Sequence, residues 1–539
     1  MSIRSLALAA LLAVSACALT GSAQESQPAT NPAERNAQIS ALHERAAGLE
    51  RRGDPSAAAE LYKELQRIDP TNADWVLAGG RALGLAGRYN DALDALEAVR
   101  KRFPDVLEIP ALIARTYDLK AEAMLAQGVR DGNVMMNFES AIQYADGVLE
   151  KDPAHRDARL IKAQSLYAMG EGEKALVEAK ECVKRFPAHP GGVILVGKLA
   201  FDRFALLRTD AQAQKNGSKE QAESLQQAAA ARDEAARWFT KAAELDPERP
   251  FPLTKLGDIE AWQGKVPQAL EFYGKALELD PEAGVNHAWI TRNAPADQAE
   301  KLYGKALESY AHKPNPIARK GATLLWYHGY VLLQLKEWKR ARQRFEEAVL
   351  ANPNFQNSLY WAAHAAFWDG DHDGALKNAG SYATANAGGF ADVLKALPEA
   401  EREESLRLMR FLAARAYEKG ATAASRDLNH VVAFLEEKPE SWNNYAFLCR
   451  ETGKYQDSFD AYVHALELEP NSPQLLNDAA VILQYHLQSP ENLAKARTWY
   501  QKAISEAETV LASAKSSAEQ KKLATQARQD ARGNLAKLR

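Results

Sequence analysis

The sequence lacks several features that define common classes of protein. Lysine and arginine number 67 against 71 aspartate and glutamate, giving a net charge of −4 with both signs mixed along the chain. Such a chain offers no basic surface for phosphate backbones, so we expect no nucleic-acid partner. Beyond the amino terminus no apolar run reaches about 18 residues, the length that a membrane-spanning helix requires. We therefore expect no transmembrane span in the mature chain.

Patterns typical of β-strands are also missing. No segment alternates apolar and polar residues with enrichment in β-branched side chains, as a half-buried strand would. Hydrophobic residues make up 46% of the chain, but many of them are alanines. Alanine, leucine and charged residues favour helix, so the composition predicts an all-α protein.

The common signatures of catalysis and metal binding are absent as well. There is no His-Glu-x-x-His, Walker loop, Gly-x-Ser-x-Gly or paired Cys-x-x-Cys, and the 11 histidines are scattered. Residues 369–374 match the opening of an EF-hand calcium loop, but its twelfth position is Gly380 instead of a bidentate glutamate. A solvated turn is the preferred interpretation and calcium the alternative. We predict no catalytic residue, no metal and no cofactor.

The amino terminus has the form of an export signal. Arg4 supplies a positive charge, residues 6–14 form an apolar core too short to span a membrane, and small residues follow. We therefore expect a bacterial protein exported to the periplasm or anchored at the outer membrane.

Two cleavage sites are compatible with this signal. Residues 14–17 resemble a lipoprotein processing box, which would remove residues 1–16 and place a lipid on Cys17. Ordinary cleavage would instead follow the Gly-Ser-Ala sequence and remove residues 1–23. In either case residues 24–38, rich in serine, glutamine, asparagine and proline, predict a disordered tether.

One pattern recurs along the rest of the chain at a fixed spacing. The intervals from Pro70 to Pro104, from Pro153 to Pro187 and from Pro247 to Pro281 are each 34 residues. Within each interval a small residue, a glycine, an alanine, a large apolar residue and a second alanine precede the closing proline. A constant period of this length indicates a repeated supersecondary unit.

The clearest unit runs from Pro250 to Pro281. Gly257 and Ala276 are small, as the close approach of two antiparallel helices requires, and Gly264 can adopt the conformation of a tight turn. We expect Tyr273 to fill the interface to the next hairpin. Pro281 cannot continue a helix and ends the unit.

This pattern resembles the tetratricopeptide repeat family over most of residues 39–505. Two further clear units contain Gly329, Leu332, Ala341, Phe345, Ala348 and Pro353, and Trp442, Tyr445, Ala446, Gly453, Tyr462, Ala465 and Pro470. The resemblance implies an α-solenoid of about eleven or twelve helical hairpins wound as a right-handed superhelix. Cys182 and Cys449 would lie in distant hairpins, so we expect two buried thiols without a disulfide.

Irregular spacings divide the predicted array. We expect an amino-terminal array over 39–204, a projecting helical insertion over 205–237, and further arrays over 238–390 and 391–505. The insertion should consist of two over-long, solvated helices joined at an Asn-Gly-Ser turn. Residues 506–539 predict a helix with a polar outer face that caps the last hairpin.

The resemblance also implies a binding function. In this family the concave surface is lined by first-helix residues, and projecting that pattern predicts a groove rich in aromatic and amide side chains. The predicted groove residues are Trp326, Tyr330, Tyr360, His364, Phe367, Trp368, Asn443, Phe447 and Asn477. Aromatics offer contact area at small entropic cost and amides can grip a peptide backbone, although several of these aromatics could instead pack between hairpins.

The leading hypothesis is a non-catalytic scaffold of the cell envelope that binds a protein or peptide partner in this groove. A narrower version is an accessory lipoprotein of envelope assembly or polysaccharide export. The alternatives are a carbohydrate-binding protein that stacks sugars on the aromatics of 326–368 and, with least support, an enzyme.

Overall fold

The computed structural model describes residues 31–311 and 321–538. Every regular element in these ranges is an α-helix, which confirms the predicted all-α fold of tetratricopeptide-type hairpins. None of the described helices is both long and apolar enough to cross a membrane. The predicted signal segment 1–23, Cys17 and residues 24–30 of the predicted tether lie outside the described residues.

The chain divides after Pro247 into two compact units. The first unit contains five hairpins, in each of which two successive helices pack together. Its helices are α1 (Pro32–Arg51), α2 (Pro55–Ile68), α3 (Asp74–Leu85), α4 (Tyr89–Arg100), α5 (Glu108–Ala126), α6 (Gly132–Lys151), α7 (Arg156–Ala168), α8 (Gly172–Arg185), α9 (Pro190–Ala213) and α10 (Lys219–Leu245).

The second unit contains seven hairpins and a final helix, α25. Its helices are α11 (Pro250–Trp262), α12 (Val266–Leu279), α13 (His287–Asn293), α14 (Ala296–Ala311), α15 (Ala322–Gln334), α16 (Trp338–Ala351), α17 (Asn357–Trp368), α18 (His372–Lys395), α19 (Glu399–Glu418), α20 (Thr422–Glu436), α21 (Pro439–Glu451), α22 (Tyr455–Leu468), α23 (Pro473–Tyr485), α24 (Pro490–Ala512) and α25 (Ala518–Lys537). In each hairpin the odd-numbered helix comes first, and we call it the first helix.

Most hairpins reverse direction through one residue with a positive φ. Gly264, between α11 and α12, has φ +71°, and glycines take the same place in eight other hairpins. Only glycine adopts this conformation without a steric penalty, which explains the turn glycine of the repeat. Lys336 occupies the turn between α15 and α16 with φ +60°, so this hairpin has a non-glycine residue in the left-handed region.

The small helical residues of the repeat lie where two helices of a hairpin touch. A Cβ atom on Gly257 would come within 2.5 Å of the Tyr273 ring, and one on Gly329 within 2.9 Å of Phe345. Ala276 is completely buried, as predicted. Tyr273 packs within its own hairpin against α11 and donates a hydrogen bond to Asp258 at 2.8 Å, while its ring also meets Trp289 of the next hairpin edge-on.

The structure differs from the predicted organisation at the tether and at the boundary after residue 390. Helix α1 begins at Pro32, with Asn31 capping it, so residues 32–38 of the predicted tether are helical. The predicted boundary between 390 and 391 falls inside a single hydrophobic cluster, in which Phe390 packs with Leu394 and Leu408. Residues 248–505 therefore belong to one unit, because continuous packing crosses the irregular segment.

The predicted insertion is a long helical hairpin. Helices α9 and α10 are longer than most of the other repeat helices and pack together along the added length. There they bury Phe204, Ala228 and Ala231 between them. Near the tip, the Gln221 side chain donates to the carbonyl of Ala211 at 3.0 Å. The two helices thus have a narrow apolar interface of their own in addition to a solvated surface.

The carboxy-terminal segment covers the last hairpin, but with different boundaries from those predicted. Helix α24 continues to Ala512, and α25 is a separate helix that packs on α23 and α24. Ala531 and Leu538 join the cluster that contains Tyr500, and Asn534 donates to Asn477 at 3.2 Å. The cap is therefore α25 and not the whole segment 506–539.

Candidate functional site

The predicted groove residues all lie on first helices of the second unit. Trp326 and Tyr330 are on α15, the residues from Tyr360 to Trp368 on α17, Asn443 and Phe447 on α21, and Asn477 on α23. The structure brings those of α15 and α17 together in one aromatic cluster, but it places Asn477 beneath α25.

Three half-buried rings of α15 and α17 form what we call the aromatic corner: Trp326, Tyr330 and Trp361. The Trp326 and Tyr330 rings are nearly parallel, with centroids 5.5 Å apart and an interplanar angle of 9°. The Trp361 ring stands at 89° to Tyr330 and 82° to Trp326, with centroids 5.5 and 6.1 Å away. The Trp326 and Tyr330 rings are therefore stacked with an offset, and the Trp361 ring stands across both.

Two predicted groove residues prove to be buried. Tyr360 is 2% exposed, and its hydroxyl is 2.6 Å from the Ser405 hydroxyl of α19. Asn477 is 5% exposed and bonded to Asp478 and Asn534. The prediction that these two side chains line an open surface is wrong, because the neighbouring helices α19 and α25 cover them.

The remaining predicted residues of α17 are accessible to different extents. Trp368 is 49% exposed, and its indole N–H donates to Nε2 of His364 at 3.2 Å. Burial lowers the pKa of His364, so its ring is neutral at neutral pH. Phe367 is half-buried and lies against His372 and Phe411, with ring centroids 5.2 and 5.5 Å away.

A cavity of about 890 Å³ lies between α19, α20 and α21. Its walls combine aromatic rings, amides, charged groups and small apolar side chains. The residues that line it are Arg410, Ala413, Ala414, Tyr417, Ser425, Asn429, Val432, Glu436, Lys438, Glu440, Ser441, Asn444, Phe447 and Leu448. Phe447 is the one predicted groove residue in this lining, and Asn443, its neighbour on α21, is half-buried with no hydrogen-bond partner for its side-chain oxygen among the described residues.

A carboxylate at one side of the cavity is held by its neighbours. Glu436 is only 5% exposed and pairs with Arg410, while Ser441 donates to its other oxygen at 2.6 Å. Lys438 Nζ is 3.7 Å from the same carboxylate. Arg410 and Lys438 remain more than half exposed, so their charges are also accessible from the cavity.

Amide groups face the cavity beside two aromatic rings. Asn429 uses its N–H to bond the Ser425 carbonyl at 2.9 Å, which leaves its oxygen available as an acceptor. Asn444 is exposed on α21. Tyr417 is 52% exposed, and Phe447 lies beneath the Arg450 guanidinium at 5.0 Å. The arrangement can hold a ligand by hydrogen bonds, apolar contact and charge together.

Sequence reasoning missed Trp361 and most of the cavity. It includes Tyr360, His364 and Trp368 of α17 but omits Trp361, although Trp361 lies on the same face of the helix as His364 and Trp368. On α19 it selected nothing, since this helix has 20 residues where the repeat helices have 12 or 13. The signal that could have found Asn444 is its place three residues before Phe447, on the same face of α21.

The EF-hand-like residues 369–374 form a hairpin turn. Gly370 has φ +83°, and Asp371 caps α18 by accepting from the Gly374 N–H at 2.8 Å. Asp371 also pairs with Arg342 and Asp373 with Arg415. Two of the three carboxylates, those of Asp371 and Asp373, thus have partners within the protein, which agrees with the preferred interpretation of a turn.

The fold and the turn geometry define this chain as a helical-hairpin repeat protein. Family models for the tetratricopeptide repeat match residues 49–116, 136–190 and 439–472. The chain therefore contains tetratricopeptide repeats in both units, and the third match includes α21 with its part of the cavity lining.

Solved structures of similar helical proteins share little sequence with this chain. A tetratricopeptide repeat protein from Parabacteroides merdae is 14% identical over 60% of this chain and 98% of its own, with a TM-score of 0.32. A chain of the APC/C hetero-tetramer Cut9–Hcn1 is 13% identical over 91% of this chain and 96% of its own, with a TM-score of 0.29. A thermophilic tetratricopeptide repeat protein from Thermus thermophilus is 14% identical over 47% of this chain and 99% of its own, with a TM-score of 0.26. No curated protein matches the chain.

Proposed function

We propose that this protein is a non-catalytic scaffold of the bacterial cell envelope that holds a segment of a partner protein on the first helices of its second unit. The observation that carries the proposal is the cavity between α19, α20 and α21, which combines amides with exposed aromatic and charged groups. Tetratricopeptide repeat proteins generally act through protein interaction, which agrees with this assignment.

The chemistry of the cavity favours an extended peptide. Backbone groups of a bound segment can donate to the Asn429 oxygen and exchange hydrogen bonds with the Asn444 amide. Tyr417 and Phe447 offer rigid apolar area to its side chains, and such aromatics carry much of the binding energy in protein interfaces. A volume of about 890 Å³ is within the range of well-formed ligand sites.

The proposal is tested by capturing partners from an envelope extract with the mature chain and with two cavity variants, Tyr417→Ala and Asn444→Ala. We expect a discrete partner whose retention falls at least tenfold when the Tyr417 ring is removed, the loss typical of a central aromatic contact. Leu350→Ala, which alters an 81% exposed side chain on the second helix α16, is the control.

Capture that is identical in the wild type and both cavity variants would contradict the proposal. Both variants change exposed side chains, so their helical content and melting curves should match the wild type. Location in the envelope is part of the proposal and rests on the amino-terminal signal, with the mature chain either periplasmic or held at the outer membrane by a lipid on Cys17.

A further inference from the structure

We propose that the aromatic corner, together with Glu401 and Glu404 of α19, binds a lysine or arginine side chain of the partner, so that the scaffold selects a basic segment. The inference rests on the proposed function and names the chemical class of its partner. It concerns α15, α17 and the start of α19, whereas the cavity lies between α19, α20 and α21.

The three rings of the corner are partly exposed and close together. A cation over the accessible face of one ring is therefore near the other two. Cations are attracted to the faces of tryptophan and tyrosine within about 6 Å of the ring centroid. The centroids of the three rings are 5.5 to 6.1 Å apart, so a charged group that approaches the accessible part of one ring also comes near the other two.

Two carboxylates border these rings. Glu404 Oε1 is 3.9 Å from Nε2 of His364, and its side chain is 44% exposed. Burial and the negative charge of Glu401 both raise the pKa of the Tyr330 hydroxyl. Within the described residues, neither glutamate forms an ion pair with a lysine or an arginine. Their negative charge is therefore available to a cation of the partner.

Two N–H donors near the corner also lack acceptors. The indole nitrogen of Trp326 is buried without a hydrogen-bond partner among the described residues. His364 accepts from Trp368 at Nε2, which places the proton of the neutral ring on Nδ1, and this atom is also buried without a partner. Unpaired buried donors are costly to the fold, but atoms this deeply buried cannot contact a bound segment unless the surrounding side chains move.

The experiment uses the full mature chain and fluorescent eight-residue peptides in which glycine alternates with arginine, lysine, glutamine or glutamate. Binding is followed by anisotropy at two salt concentrations. We expect the arginine and lysine peptides to bind at least tenfold more tightly than the glutamine peptide, and their affinity to fall as salt screens the carboxylates.

A charge-matched pair of variants locates the contact. Glu401→Gln/Glu404→Gln should weaken the arginine peptide about tenfold. Glu399→Gln/Glu403→Gln removes the same charge from exposed positions on another face of α19 and should leave binding unchanged. Trp361→Leu should also weaken binding, with circular dichroism reporting whether the helices are intact.

Three results would overturn the inference. The first is equal binding of the arginine and glutamine peptides, and the second is equal weakening of binding by the two double variants. The third is binding of cellohexaose that depends on Trp361 while the arginine peptide does not bind. The last result would assign the corner to carbohydrate. None of them affects capture that depends on Tyr417 and Asn444, so the proposed function is tested separately.

Discussion

Single glycines decide how closely the helices of a hairpin approach. Gly257 lies under the Tyr273 ring, where a Cβ atom would come within 2.5 Å, whereas a Cβ on Gly274 would meet nothing closer than Leu302 at 3.9 Å. We predict that Gly257→Ala lowers the free energy of unfolding by about 1 to 3 kcal/mol through overpacking. Gly274→Ala should raise it by about 0.5 to 1 kcal/mol, because alanine is the better helix former.

Thermal or urea unfolding of the two variants checks this pair. Both substitutions add one methyl group to a helical glycine in the same hairpin, so that only the surrounding space differs. Equal effects of the two substitutions would mean that Tyr273 can move aside and that the close approach has no energetic role.

Buried histidines make the stability of the protein depend on pH. Burial lowers the pKa of His328 and of His430 to about 4, below the ordinary value of 6.5. Below pH 6.5 the unfolded chain takes up protons that the folded protein does not. Stability is therefore lost as the pH falls from about 6.5 to about 4.

His328→Leu should remove part of this dependence. His328 Nε2 lies 3.6 Å from Oε1 of Glu300, just beyond hydrogen-bond distance, and Nδ1 is buried without a partner among the described residues. The difference in unfolding free energy between pH 7 and pH 5 should be about 2 kcal/mol smaller in the variant than in the wild type. His464→Leu, at a side chain that is 39% exposed, is the control. Identical pH profiles for wild type and His328→Leu would show that the pKa of His328 is the same in the folded and unfolded states.

Among the elements, the terminal helix α25 has the clearest separate role. It buries Ala531 and Leu538 against the last hairpin. Its Asn534 side chain donates to Asn477 of α23, and its Asn534 carbonyl accepts from Gln484 of the same helix. Deleting residues 514–539 should expose that apolar flank. We expect the amides of α23 and α24 to lose protection in hydrogen exchange, while those of α11 and α12 keep theirs, because each repeat depends mainly on its neighbours.

Uniform loss of protection across the second unit would contradict this nearest-neighbour description. Unchanged protection in α23 and α24 would show that α25 adds nothing to their stability. A deletion that starts at residue 514 leaves α24 complete, which makes the comparison specific to the cap.

For the whole molecule, the first question is where the mature chain begins. If the processing box at 14–17 is used, Cys17 becomes the acylated first residue and the protein fractionates with membranes. Cys17→Ser should then release the protein or stall its processing, which cell fractionation detects. Mass analysis of the mature amino terminus decides between the two sites, and a chain that starts at Gln24 excludes lipidation.

The fold class and the repeat can be predicted from the sequence. Glycine at a turn, a small residue opposite a ring and proline after a helix are local steric requirements, so Gly264, Gly257 and Pro281 are recognisable without coordinates. The long hairpin of α9 and α10 followed in the same way from its Asn-Gly-Ser turn and its extra length.

Which first-helix residues are accessible depends on packing between hairpins and could not be predicted. Tyr360 and Trp361 are adjacent in sequence, but α19 covers the first and leaves the second half-exposed. The cavity depends on the register of α19, which is longer than the other first helices around it, against α21. Likewise the proximity of Glu401 and Glu404 to the aromatic corner depends on how α19 packs beside α17. Burial and proximity of this kind arise from packing between helices distant in sequence, which a repeat period does not encode.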